Sequence, residues 1–135
     1  MAADSTNQQA ESSASGQEVL RLHIGGREAK QGWKILNIQD GPGVDFVGNC
    51  VDLSQFPDGS VAEIYASHVV EHLGYQQELP KALAEFHRVL RPGGRALISV
   101  PDLELLCRMF LHPELKPEQR FYLMRVIMGG QCDDH

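Results

Sequence analysis

The sequence predicts an α/β domain built on a mostly parallel sheet, and three features of the chain lead there. Between Val61 and Val100 a β-prone run, a helical run and a second β-prone run follow one another, the order of a right-handed βαβ unit. Upstream of it, three short β-prone runs each stop at glycine or at a polar turn. The helical run stops at Arg91-Pro92-Gly93-Gly94, which turns the chain directly into the next strand.

Residues 1–17 are rich in Ser, Ala, Gln and Glu and nearly free of large apolar side chains, so burial cannot offset the entropy of ordering them, and a disordered tail is expected. Residues 18–135 are expected to form one domain. From Val19 the run VLRLHI alternates as a strand and ends at Gly25-Gly26; WKILNI follows Gly32 as a second strand, and VDFVG follows the Gly41-Pro42-Gly43 breaker as a third. The stretch from Gly25 to Gly32 is too short for a helical crossover. The first two strands are therefore either parallel without a helix between them, or an antiparallel hairpin.

VDLSQFPDGS reads as a loop with a Pro-Asp-Gly turn, and VAEIYAS as the next strand. In ELPKALAEFHRVL the residues Leu79, Ala82, Leu83, Phe86, Val89 and Leu90 recur at helical spacing as one apolar face. RALISV reads as a buried-type strand ended by Pro101, and Asp102 is placed to cap a helix through Leu103, Leu106, Cys107 and Phe110. Pro113 interrupts that helix. A last one, PEQRFYLMRVIM, starts at Pro117 and ends at Gly129-Gly130, its Phe121 to Met128 side chains expected in the core.

The chain has 135 residues, 42% of them apolar, enough for a single core without disulfides or a structural metal. Its net charge of −6 argues against a nucleic-acid or membrane-surface binder. Cys50, Cys107 and Cys132 form no C-x-x-C pair, which fits a reduced, cytoplasmic setting. No window reaches membrane-spanning length, and the first residues read as neither signal peptide nor anchor.

The block EIYASHVVEHLGYQQELPKALAEFHRVLRPGGRALISVPDLE resembles class I S-adenosylmethionine-dependent methyltransferases, in particular the small methyltransferase-11-like branch, over about Leu22 to Glu104. The resemblance implies a Rossmann-like methyltransferase sheet, from which this chain departs by lacking the first helix and the final antiparallel strands, so a truncated or minimal form of that sheet is expected. It also implies S-adenosyl-L-methionine as cofactor, and a small molecule or cell-envelope precursor as methyl acceptor. Such a sheet binds its ligand beyond the carboxyl ends of the strands. By resemblance, Gly25 and Gly26 line the methionine end of the cofactor. Gln39, with Asp40 just beyond, takes the ribose position, and Asp52 with Leu53 faces the adenine. Ser67 and His68 end the fourth strand where this fold aims residues at the methyl group. His68 is then the catalytic base, a packing contact for the cofactor or a helix cap. The residues also admit plainer roles: a tight turn at Gly25-Gly26, a solvated carboxylate at Asp40 and a turn cap at Asp52.

Three departures support a rival reading as a non-catalytic interaction module: Arg27 stands where the second glycine of a G-x-G loop is expected, Gln39 where an acid is expected, and the final antiparallel strands are missing. The missing final strands leave a sheet edge to be covered by a second copy or by a further C-terminal segment. A third reading takes His68-x-x-Glu71-His72 as an inverted zinc-hydrolase signature, both histidines on one helical face and Glu71 activating water. Arg88, Arg91 and Arg95 read as a solvated helix end, and Cys107 as an inert thiol on an apolar helical face.

Overall fold

The structure is a computed structural model describing residues 19–129. The expected N-terminal tail and Cys132 lie outside the described residues. Five strands, β1 (Arg21–Ile24), β2 (Lys34–Asn37), β3 (Phe46–Val47), β4 (Val61–Ser67) and β5 (Leu90–Ser99), form one sheet in the order β3-β2-β1-β4-β5. Every pairing is parallel. The helices are α1 (Glu78–Val89), α2 (Leu103–Phe110) and α3 (Pro117–Ile127).

Registry fixes which residues share a face, because side chains alternate along each strand. Leu22 lies beside Ile64, and Ile24 lies between Leu36 and Ala66, so these residues line one face. Against it α1 lays Ala82, Phe86 and Val89, spaced by four and three residues and all buried. Cys50, Leu53 and Phe56 from the loop after β3 complete the core. The rings of Phe46 and Phe56 meet edge to face at 4.9 Å. Burial pushes the Cys50 thiol pKa up, which keeps it protonated.

β1 and β2 are parallel, joined by residues 25–33 with no helix, which decides between the two connections open in the sequence. The opposite sheet face carries Arg21, His23, Glu63, Tyr65 and Arg95. Glu63 pairs with Arg21 at 3.4 Å and with Arg95, and the His23 ring lies 5.0 Å from Tyr65.

Several sequence expectations need correction. The third strand is only Phe46–Val47; Asp45 before it donates its N–H to the Ile35 carbonyl (3.0 Å), while its carboxylate takes the place of a backbone acceptor for the Ile35 N–H (2.8 Å) and also accepts from the Lys34 ammonium (3.1 Å). RALISV is not a buried-type strand: β5 is the sheet edge, and Leu97, Ile98 and Val100 stay exposed. Pro92-Gly93-Gly94 lies within β5, where a register shift falls opposite Val61 to Glu63. Leu83 is 44% exposed although it shares the periodicity of Phe86. In α2 no residue is buried, Cys107 included, and in α3 only Leu123 is, so Phe121, Tyr122, Met124 and Met128 do not fill the core. The local signals do hold. Asp102 accepts the Leu105 N–H at 3.0 Å, and Pro117 opens α3.

The loop over residues 53–58 is bound to α1 by two side chains. Glu85 accepts the Leu53 N–H at 2.7 Å. Arg88 donates to the Leu53 and Phe56 carbonyls, both at 3.0 Å, and to Asp58 at 2.7 Å, while also pairing with Glu85. Arg88 is thus a structural clamp and not a solvated helix end. Hydrogen bonding from Arg88, and then the Leu53 N–H, holds the Glu85 carboxyl below its usual range, and the Ile35 N–H does the same for Asp45. Lowered folded-state values mean that this stabilisation is complete above the unfolded pKa of about 4 and is lost as pH falls through the folded values. The melting temperature should therefore stay level from about pH 7 to 5 and drop below that. Glu85→Gln should melt lower at neutral pH and lose less on acidification; equal acid slopes in the two proteins would contradict the assignment.

Candidate functional site

With all strands parallel, their carboxyl ends share one edge of the sheet. From β1 the chain proceeds outward to β2 and β3, then returns to β4 on the other side of β1. Connections diverge at the β1/β4 boundary, and the crevice there is where open α/β sheets bind ligands.

Gly25 stands at that boundary, exposed, with φ +75°, and its N–H donates to the Leu36 carbonyl at 2.8 Å. A Cβ at Gly25 would lie 2.6 Å from Val69 Cγ2, so the backbone of the first loop packs directly on the segment after β4. Gly26 is buried. A Cβ there would stand 2.5 Å from the His23 ring, so this glycine answers a packing demand of the scaffold. Burial, and secondarily the Lys30 charge, lower the His23 pKa, keeping the ring neutral at physiological pH.

The sequence did not single out Asn37, the last residue of β2. It is 8% exposed, the sole buried polar or charged residue among those described. Its Nδ2 donates to the Gly26 carbonyl and its Oδ1 accepts the Gln39 N–H, both at 3.0 Å. One amide thus ties the loop after β1 to the loop after β2. An asparagine closing an apolar strand was the available signal. Asn37→Leu keeps the branching at Cγ but leaves the Gly26 carbonyl and the Gln39 N–H unpaired, a cost of about 1–3 kcal/mol. A thermal melt should show that loss, with a loosening of whatever the two loops hold; an unchanged melt would refute the tie.

Gln39 and Asp40 are exposed. Gln39 Oε1 accepts from Arg27 Nη2 at 3.5 Å, a long contact across the two loops, and Asp40 accepts the Gly41 N–H at 2.8 Å. Asp52 is exposed and its Oδ1 accepts the Ser54 N–H at 3.1 Å, which makes it a turn cap. Hydrogen bonding from Ser54 lowers the Asp52 pKa, with smaller contributions from Lys81 and Arg88 of α1. Leu53 is fully buried, and both its backbone groups are engaged by Glu85 and Arg88, so neither is available to read a ring edge. Its role is in the core.

Ser67 ends β4 beside Ser99 of β5. His68 follows with φ +54°, the only positive φ outside glycine among the described residues, while its N–H donates to the Ser99 carbonyl at 3.0 Å. Its ring is mostly exposed and its Nδ1 lies 3.2 Å from Glu71 Oε1. Val70–His72 form a single 3-10 turn, and His72 Nδ1 contacts the Gly129 carbonyl at the end of α3. The shared α-helical face required by the zinc reading is therefore absent. Among the described residues no group of three or more His, Cys, Asp or Glu converges to hold a metal ion.

Gly25, Gly26, Gln39, Ser67 and His68 are thus brought to one edge through Asn37 and Val69, whereas Leu53 is bound to α1 and Asp52 caps the exposed turn beside it. A parallel sheet of this order, opening at β1/β4 onto a glycine loop and a strained residue after β4, defines a Rossmann-like α/β domain. The family model described as a methyltransferase domain matches residues 7–98, and the chain belongs to that family, that of class I S-adenosylmethionine-dependent methyl transfer. A search of curated proteins gave no significant match. No helix among the described residues is long and apolar enough to cross a membrane.

Proposed function

We propose that the chain binds S-adenosyl-L-methionine in the crevice beyond Ile24, Asn37 and Ser67 and directs its methyl group to a small-molecule acceptor, in the cytoplasm. The observation that supports this is Gly25: an exposed, left-handed residue at the switch point, where any side chain would collide with Val69 and displace one of the two loops that border the crevice. The donor set suits the cofactor. Gly25 and the Arg27 guanidinium hold the amino-acid end, Gln39 and Asp40 the ribose hydroxyls, and the Asp52 carboxylate the adenine amine. Gly26 serves by shaping the loop, and Leu53 by fixing the turn that carries Asp52. When bound, the cofactor supplies a methyl carbon on a positively charged sulfur, which an acceptor lone pair takes as the sulfur leaves neutral.

His68 is the base of this reading. Glu71, as a carboxylate, only accepts, so the Nδ1 facing it carries the hydrogen and Nε2 is left to receive an acceptor proton. A second reading, a non-catalytic interaction module, draws on the contact between Arg27 and Gln39, which crosses the ribose position with a positive charge. Calorimetric titration with S-adenosylhomocysteine separates the two. One saturable site per chain is expected, and a folded sample that binds nothing would leave the module.

A further inference from the structure

All-parallel sheets occur almost only with both faces covered. Here α1 lies on the core face. On the opposite face the loop over residues 25–33 lies against the β1/β2 side, where Gly26 packs on the His23 ring and Trp33 meets the Tyr65 ring at 6.2 Å. The β4/β5 side is open: Leu97, beside Tyr65, is 46% exposed, and the Arg95 side chain is 68% exposed.

That open side is positively charged although the chain as a whole carries −6. Glu63 pairs with Arg21 at 3.4 Å and with Arg95, and Arg91 stands near enough to add its charge. All three arginines are exposed. Three guanidiniums around one carboxylate leave an excess of positive charge and N–H donors free to engage further carboxylates. A second copy would present the same charges and be repelled, so the face calls for an acidic occupant.

The chain carries such a segment. Residues 1–18 contain Asp4, Glu11 and Glu18 and neither lysine nor arginine. They join the described chain at Val19, two residues before Arg21, at a cleft of about 190 Å³ that Arg21, Trp33 and Lys34 also line. Arg95 stands two strand spacings from Arg21, about 10 Å. Eighteen residues of flexible chain span about 20–25 Å root mean square, which is ample reach. The acidic residues Asp133 and Asp134 leave from the opposite edge, since Gly129 at the end of α3 sits against Glu71. With almost no apolar surface to bury, residues 1–18 can be held only by charge, and the tether gives them an effective concentration that a free acidic peptide lacks.

We propose that residues 1–18 dock their carboxylates on the Arg21, Arg91 and Arg95 face of the sheet, as an intrachain acidic cover for its β4/β5 side. The proposal stands apart from the methyl-transfer reading and does not depend on it.

The test places a nitroxide at position 10 of isotope-labelled full chain through Ala10→Cys, with Cys107→Ser and Cys132→Ser so that no other accessible thiol is labelled. At low salt the amides of Glu63, Arg95 and Leu97 should broaden. In about 1 M NaCl, where charges are screened beyond about 3 Å, the broadening should fall at least about threefold. Glu11→Gln with Glu18→Gln should lower it comparably at low salt, and so should Arg91→Gln with Arg95→Gln. The first pair leaves the sheet untouched and serves if the arginine pair fails to fold. No broadening on this face at low salt, or broadening that salt and the charge variants leave unchanged, would overturn the proposal. So would broadening that arises wholly between chains, read from a mixture of nitroxide-bearing and isotope-labelled molecules.

Discussion

Gly25→Val is expected to lower S-adenosylhomocysteine affinity by at least about a hundredfold. Two costs combine. A left-handed backbone costs an L-residue about 1–2 kcal/mol, more when it is β-branched. The new Cβ would also stand 2.6 Å from Val69 Cγ2, so either the first loop or the segment leading to His68 must move. Because the Gly25 N–H is bonded to Leu36, the loop has little freedom to yield and displacement reaches both sides of the crevice. Calorimetry on a variant shown by circular dichroism to be folded is the measurement; wild-type affinity there would place the nucleoside elsewhere.

Phe86→Ala is expected to cost about 3–5 kcal/mol, the usual range for removing a buried aromatic ring. Phe86 is 2% exposed and lies in α1, packed into the core cluster against the sheet, so removing its ring leaves a hole in the core. Against a total stability of order 5–15 kcal/mol the melting temperature should fall by more than about 10 °C. Leu83→Ala, on the same helix but 44% exposed, should cost less than about 1 kcal/mol. Similar losses in the two variants would mean that α1 lies on the sheet through a different face.

The contrast between Phe86 and Leu83 shows where sequence reading stops. Periodicity identified α1 and the neighbourhood of its apolar face, but the width of the buried stripe depends on what lies opposite, and the sheet reaches Phe86 and not Leu83. β5 repeats the lesson. RALISV has the composition of a central strand, yet its place at the end of the order leaves it exposed. At the candidate site, Gly25, Ser67 and His68 were legible because positions after strand ends are read from strand boundaries alone. Gly26 and Leu53 were assigned to the cofactor, but their partners, the His23 ring and the Glu85 and Arg88 side chains, are settled by packing. Asn37 went unnoticed because its importance rests on two backbone groups from separate loops.

The sequence by itself determined the alternation of strands and helix, the stops at glycine, the Asp102 cap and the Pro117 start, and through the block around His68 the family to which the chain belongs. These depend on neighbours within a few residues, whose geometry is set by local backbone sterics and hydrogen bonding. Only the tertiary structure decided the parallel β1/β2 pairing without a helix, the exposure of β5, the clamp at Arg88 and the burial of Glu71 beside α3. Each of these depends on which surfaces meet across the fold, and burial, charge pairing and hydrogen-bond satisfaction are properties of that meeting.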